Sequence, residues 1–124
     1  MDALNNGLGF QIEYNAKYKF RDCGGVYSNI SGIFTSPSHP HAYPPMADCT
    51  YLITQPNGSF VNLTVIAMDI DCQSYRVTSD YIEVRDGSSE GSPLIGKWCG
   101  NNSNIPAVLQ STQNSLWIRC EEYL

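Results

Sequence analysis

An all-β sandwich of short antiparallel strands is the fold class this sequence predicts, and three observations predict it. Apolar residues recur at alternate positions in short runs, and no stretch carries the 3.6-residue period of an amphipathic helix. Clusters of Pro, Gly, Asn and Ser separate those runs at regular intervals. Cys23, Cys49, Cys72 and Cys99 divide into two pairs of nearly equal spacing, as in a domain stapled across its strands.

The elements follow in chain order. Phe60–Met68 alternates, with Val61, Leu63, Val65 and Ala67 on one face and Asn62 and Thr64 on the other. Tyr81–Arg85 sends Ile82 and Val84 inward and Tyr81, Glu83 and Arg85 outward, after which Asp86-Gly87 turns the chain. Ser115–Cys120 places Leu116, Ile118 and Cys120 on one face, so Cys120 is expected as a buried thiol of small hydrophobic character. The breakers between runs are Ser36-Pro37, Tyr43-Pro44-Pro45, Pro56-Asn57-Gly58 and Ser92-Pro93. Trp98 and Trp117 are expected in the core or between sheets. Tyr43, Tyr51 and Tyr81 divide between core edges and surface.

Composition narrows the function classes. The 124 residues suit one domain, and only 15% are charged, against about 25% in a typical soluble domain. Ser, Asn, Gly, Pro and Tyr fill the difference. Seven Lys plus Arg against twelve Asp plus Glu give a net charge of -5, which argues against a nucleic-acid partner. No apolar run approaches a membrane span, so direct membrane insertion is not expected. Met1-Asp2-Ala3-Leu4-Asn5 lacks the basic start and apolar core of a secretory signal, so an extracellular location implies a larger chain. The cysteines support that location, because no Cys-x-x-Cys pair offers a zinc or redox reading. Two disulfides closing such loops would each contribute roughly 3–4 kcal/mol in the chain-entropy account. Four sequons agree: Asn29-Ile-Ser31, Asn57-Gly-Ser59, Asn62-Leu-Thr64 and Asn101-Asn-Ser103 make Asn29, Asn57, Asn62 and Asn101 candidate glycosylation sites.

Chemistry concentrates between Asp69 and Gly87. Asp71 and Asp80 stand at the two ends of one short loop that contains Cys72. Carboxylates held close repel one another unless a cation lies between them, and Ca²⁺ accepts such oxygen ligands in flexible geometry. Asp71 and Asp80 are therefore the candidate metal ligands, while Asp69 faces solvent or caps. Asp80 and Tyr81 are the candidate contacts for a ligand. His39-Pro40-His41 has no third ligand in its Pro-rich loop and is set aside. Hydrolase, metalloprotease and phosphate-loop signatures are all missing, so an enzyme is not expected. Arg85-Asp86-Gly87 reads as a hairpin turn rather than an adhesive tripeptide.

These residues assemble into a family resemblance. Cys23-Gly24-Gly25, Gly32-Ile33-Phe34-Thr35-Ser36-Pro37, Tyr43-Pro44, Cys49-Thr50-Tyr51-Leu52-Ile53 and Pro56-Asn57-Gly58 resemble the first half of a CUB domain. Val61-x-Leu63-x-Val65-x-x-Met68-Asp69-Ile70-Asp71, Ser79-Asp80-Tyr81-Ile82-Glu83-Val84, Asp86-Gly87, Trp98-Cys99-Gly100 and Leu116-Trp117-Ile118 resemble the second half. The match runs in family order from residue 23 to about residue 120. It implies a jelly-roll-like sandwich of two five-stranded antiparallel sheets, with disulfides Cys23–Cys49 and Cys72–Cys99. It also implies a Ca²⁺ cofactor held by Asp71 and Asp80.

Two departures from the family pattern shape the expectations. The first ligand is commonly Glu, so Asp71 reaches one methylene less far. Family members also follow the Leu-Trp-Ile strand with an aromatic residue, a Ser-Asp pair carrying a third ligand, and a last strand beginning Gly-Phe. Here Cys120-Glu121-Glu122-Tyr123-Leu124 follows instead, and Glu121, Glu122 or Asp2 could substitute for the third ligand only by rearrangement. Gly9-Phe10-Gln11-Ile12-Glu13-Tyr14 resembles that last strand. Residues 1–22 are thus expected to be the tail of a preceding CUB domain plus a linker. Residues 23–124 are expected to be a CUB domain without its last strand in the usual place, and Gly9–Tyr18 to pair with its sandwich.

By resemblance, the chain is a non-catalytic extracellular protein-binding module of a multi-CUB endocytic receptor at the cell surface or in endosomes. The resemblance implies partners such as plasma proteins or vitamin-carrier complexes, as in cobalamin transport, together with neighbouring CUB domains. A calcium-ordered acidic loop would take a Lys or Arg of the ligand, and acidification would release it. A glycosylated structural spacer and an exosite module of a secreted protease are the alternatives.

Overall fold

The computed structural model describes residues 7–14, 23–36, 39, 47–70, 72 and 80–121. They form an all-β sandwich with one wide face and one interrupted face. The wide face is a five-stranded sheet built from β1 (Gly24–Tyr27), β2 (Asp48–Thr54), β5 (Tyr81–Arg85), β6 (Leu94–Trp98) and β9 (Ser115–Glu121), in the order β1-β2-β9-β5-β6. Opposite it lie two short ladders. One joins β3 (Asn62–Thr64) to β8 (Val108–Gln110), and the other joins β4 (Asp69–Ile70) to β7 (Gly100–Asn101).

Period-2 patterning sets the core. Cross-strand register places Tyr51 opposite Ile118 and Val84 opposite Ile118 on its other side, so these apolar side chains share the inner face of β2, β9 and β5. Leu116, Ile118 and Cys120 are all buried, as their alternation predicts. Cys120 lies outside both disulfides, opposite Cys49 in the register. From the interrupted face, Val61, Met68, Ile70, Ile105 and Leu109 close the core. Tyr27, Phe34 and Tyr51 stack at one end, with Phe34 and Tyr51 centroids 4.5 Å apart, and the Tyr51 hydroxyl donates to the Thr35 carbonyl at 2.9 Å.

Both expected disulfides are formed: Cys23–Cys49 and Cys72–Cys99, with Cα–Cα distances of 5.2 and 5.4 Å. The first explains a departure from the antiparallel expectation. β1 runs parallel to β2, with Gly24 opposite Thr50, and the same offset carried back one residue sets Cys23 beside Cys49. A parallel pair needs a long crossover, which residues 28–47 supply. It also needs backbone proximity that only glycine permits here. Gly24 has φ +86°, and a Cβ there would lie 1.9 Å from the Thr50 carbonyl oxygen. Gly96 is used differently: Trp98 lies across it, so a Cβ would meet the indole Cζ2 at 2.4 Å.

The second expected five-stranded sheet is not found among the described residues. The predicted run Phe60–Met68 splits because the Asn102 side chain intervenes. Asn102 accepts from the Met68 N–H at 2.9 Å and donates to the Ile66 carbonyl at 3.1 Å, replacing ladder bonds with amide bonds. Ala67, expected inward, is exposed at this break. Leu63 and Val65 stay only partly buried. The expected pairing of Gly9–Tyr18 is also corrected for its described part. Residues 9–14 form no strand, and Phe10, Ile12 and Tyr14 are exposed to 88%, 73% and 87%. Alternation alone supplies no hydrogen-bonding partner. Residues 15–18 lie outside the described residues.

Candidate functional site

The candidate loop begins where β4 ends and finishes where β5 begins. Cys72 near its start is bonded to Cys99, which sits between β6 and β7, so the loop is anchored to the wide sheet at one end and the interrupted face at the other. Asp80 closes the loop and is buried. Asp71, the other predicted ligand, lies outside the described residues, as do Asp2 and Glu122. Among the described residues no group of three His, Cys, Asp or Glu side chains is arranged to hold a metal ion. His39 is exposed; Pro40 and His41 lie outside the described residues.

What adjoins Asp80 is a charged network on the outer face of the wide sheet. Tyr81 is opposite Glu121 in the register, and its hydroxyl donates to Glu121 Oε2 at 3.1 Å. Lys97 Nζ lies 4.8 Å from the centroid of the Tyr81 ring, a cation–π contact, and 3.8 Å from Glu83 Oε1. Arg119 grips Asp48 with two hydrogen bonds, Nε to Oδ1 at 2.9 Å and a terminal nitrogen to Oδ2 at 3.2 Å, while reaching Glu121 Oε2 at 2.8 Å. The hydrogen bond that Arg119 donates to Asp48 comes first in raising the Arg119 pKa above the ordinary guanidinium range; the Asp48 and Glu121 charges add to it, and burial opposes it.

The sequence placed Tyr81, Glu83 and Arg85 outward, and they do share the outer face. Glu83 is nonetheless buried, flanked by the cations of Arg85 and Lys97. Arg85 pairs with Glu83 and donates to the Ser92 carbonyl at 2.9 Å. Glu90 of the 86–93 turn comes within 3.8 Å of Arg119. Trp117, one of the two tryptophans expected in the core or between sheets, is instead half-buried on this outer face beside Arg119. Arg85-Asp86-Gly87 is a closed turn: the Asp86 oxygens accept from the Thr112 N–H at 2.9 Å and the Thr112 hydroxyl at 2.7 Å. Alternation could not reveal this clasp, because it joins two turns far apart in sequence.

Glu121, considered from sequence only as a substitute ligand, is buried between Arg119 and Tyr81. Its phase in β9 was readable; its cation was not, since the pairing depends on the lateral neighbours Asp48 and Tyr81. The four sequon residues Asn29, Asn57, Asn62 and Asn101 are all exposed. Asn101 also caps a 3-10 turn at Asn102–Asn104, its Oδ1 accepting from the Ser103 N–H at 3.0 Å.

Comparison with known proteins gives a consistent set of likenesses. The model of the CUB-domain family matches residues 23–122. Human cubilin is 40% identical over 105 residues, covering 85% of this chain and 3% of that protein. Human tolloid-like protein 1 is 39% identical over 113 residues, covering 91% of this chain and 10% of that protein. The crystal structure of the MASP-1 CUB2 domain bound to Ca²⁺ superposes with a TM-score of 0.65 at 27% identity, covering 81% of this chain and 87% of that one. The chain thus spans about 3% of the length of the cubilin relatives it matches.

Proposed function

The chain belongs to the CUB-domain family, and on that premise we propose that it is a non-catalytic, extracellular protein-binding module whose acidic loop is ordered by Ca²⁺. The observation that carries this reading is the placement of Asp80. It is a buried carboxylate immediately before β5, in a segment whose Cys72 is bonded to Cys99. A carboxylate taken out of water is stabilised by cations and hydrogen-bond donors, and hard oxygen is what Ca²⁺ binds. The solved MASP-1 CUB2 domain bound to Ca²⁺ supports the same chemistry in a fold of this shape.

The donor set fits the ion in part. Asp80 would hold it together with Asp71. Glu121 is already engaged by Arg119 and Tyr81, which argues against its serving as the third ligand. Bound calcium would supply positive charge that fixes the loop. The chain's own residues would then meet the partner: Asp80 oxygen accepts from a Lys or Arg of the ligand, and the Tyr81 ring flanks it. Plasma proteins, vitamin carriers and neighbouring CUB domains are the partners this reading extends to, within an endocytic receptor at the cell surface. A glycan-bearing spacer is the second reading, favoured by the exposure of Asn29, Asn57, Asn62 and Asn101.

Calorimetric titration of the chain with Ca²⁺, followed by surface plasmon resonance with a Lys-rich peptide in calcium or chelator, separates the two. Binding requires saturable calcium uptake and calcium-dependent peptide capture, both lost at least tenfold in Asp80→Ala. A chain that takes up no calcium and ignores the peptide is a spacer.

A further inference from the structure

We infer that Asn62 carries an N-linked glycan whose first sugar packs on the Phe60 ring, so that carbohydrate covers the outer side of the interrupted face. The inference rests on the extracellular reading and is independent of the calcium reading. The four sequons at Asn29, Asn57, Asn62 and Asn101 are equivalent as sequence. They differ in what the fold places two residues before each.

Phe60, Asn62 and Thr64 lie on one face of the extended segment that contains β3, since Val61 between them is buried and Leu63 packs against the core. Same-face neighbours in a strand are roughly 6.6 Å apart, a spacing that lets a ring attached to Asn62 lie over Phe60. Phe60 is 56% exposed, and Asn62 and Thr64 are exposed beside it. Among the described residues no hydrogen bond holds the Asn62 side chain, whereas Asn57 Oδ1 accepts from Asn114 at 3.4 Å and Asn101 Oδ1 accepts from the Ser103 hydroxyl at 2.6 Å.

The other three sequons have no such platform. Tyr27 precedes Asn29 at the same spacing, but its ring is committed to the stack with Phe34 and Tyr51, at centroid distances of 5.4 and 6.2 Å. Gln55 precedes Asn57, and Cys99, bonded to Cys72, precedes Asn101.

The surface around Asn62 is apolar. Register pairs Asn62 with Gln110 and Thr64 with Val108, so Val108, 54% exposed, lies diagonally beside Asn62 on the same face. Ile66, 72% exposed, continues the alternation. A pyranose presents a face of C–H bonds with partial positive charge, and an aromatic ring presents a negative face. Stacking the first N-acetylglucosamine on Phe60 removes apolar surface from water and adds an attraction that an aliphatic side chain lacks. Attachment forms a bond from Asn62 Nδ2 to C1 of that sugar, delivered as an oligosaccharide on a lipid diphosphate. The C1–O bond to phosphate breaks, the lipid diphosphate leaves with the electron pair, and one amide proton is lost to base.

The test is secretion of the full chain, behind a cleavable leader, from a eukaryotic host whose glycans an endoglycosidase trims to one N-acetylglucosamine per site. Glycopeptide mass spectrometry is expected to find Asn62 occupied. Nuclear Overhauser contacts between the Phe60 ring and that sugar are expected in the wild-type chain, a result that requires no variant to fold. Asn62→Gln is expected to lower the ratio of folded to unfolded chain about fivefold when Phe60 is present, and negligibly in the background of Phe60→Ala. The double comparison cancels whatever Phe60 contributes to the bare domain. A secreted chain bare at Asn62 overturns the inference and leaves the extracellular reading standing. An occupied Asn62 with no contact to Phe60, or one whose loss is felt equally with and without that ring, overturns the packing. A chain retained in the host with its disulfide cysteines reduced overturns the extracellular reading as well.

Discussion

The two faces of the sandwich obey the same alternation and end up differently built. On the wide face, β9 lies between β2 and β5, so Ile118 opposes both Tyr51 and Val84 and Cys120 opposes both Cys49 and Ile82, while Leu116 opposes Ile53 alone. On the other face, Leu63 opposes Leu109 and is paired on that side alone among the described residues. Burial follows what covers a face rather than side-chain type. Leu116 on the wide face is fully buried, whereas Leu63 is half-exposed. The lesson is that period-2 patterning selects the face toward which a residue points, while what packs over that face decides how much water is removed there.

The sharpest test of that contrast pairs two identical substitutions. Leu116→Ala removes a fully enclosed side chain and leaves a cavity, so chemical denaturation is expected to lose about 3 kcal/mol. Leu63→Ala deletes the same atoms from a half-wet position and is expected to cost about 1 kcal/mol. Equal losses would mean that the interrupted face is as closed in solution as the wide one.

Arg119 extends the comparison to the charged side of the wide sheet. Arg119→Ala removes the guanidinium that engages both half-buried Asp48 and buried Glu121. The expected loss is about 2–3 kcal/mol by denaturation, larger than any effect of truncating exposed Lys97. A loss near zero would place the network among solvated surface pairs.

The smallest effect belongs to Tyr51 and appears only in alkali. Burial first, then the neighbouring Cys120 and Tyr27, push its phenol from 10.0 up to about 12. The folded state therefore holds this proton more tightly than the unfolded chain. Its contribution is fully present below pH 10 and is lost as pH rises toward about 12. Denaturation midpoints measured across that window should fall more steeply in the wild type than in Tyr51→Phe. Parallel slopes would show the ring to be more hydrated than the stack with Phe34 implies.

Much of this arrangement was legible in the sequence, for reasons that differ by residue. Leu116, Ile118 and Cys120 were readable because an inner strand imposes strict alternation. The disulfide partners followed from the family resemblance and the spacing, and the Asp86-Gly87 turn from local chemistry. Ala67 was misplaced because a side chain distant in sequence, Asn102, breaks the strand. The parallel direction of β1 was invisible, since its determinant is the contact between Gly24 and Thr50, a fact of three dimensions. At the candidate site Asp80 and Tyr81 follow a loop that the Cys72–Cys99 bond anchors, and their roles toward metal and ligand are proposals. The sequence did not foresee that Glu121, Arg119 and Asp48 form the adjoining network, because each lies on a different strand or register position and only the sheet brings them together.

The bond between Cys23 and Cys49 has a mechanical meaning. Tension applied to the chain ahead of residue 23 is transmitted through sulfur directly to β2, which lies between β1 and β9 in the wide sheet. The segment between the two cysteines, 26 positions long in sequence, cannot be drawn out to lengthen the molecule. β1 lies inside that closed loop and is spared the load, which passes from β2 to its ladder with β9. The bond thus shields the length between its two cysteines from extension and leaves the ladder of β2 with β9 to bear the force.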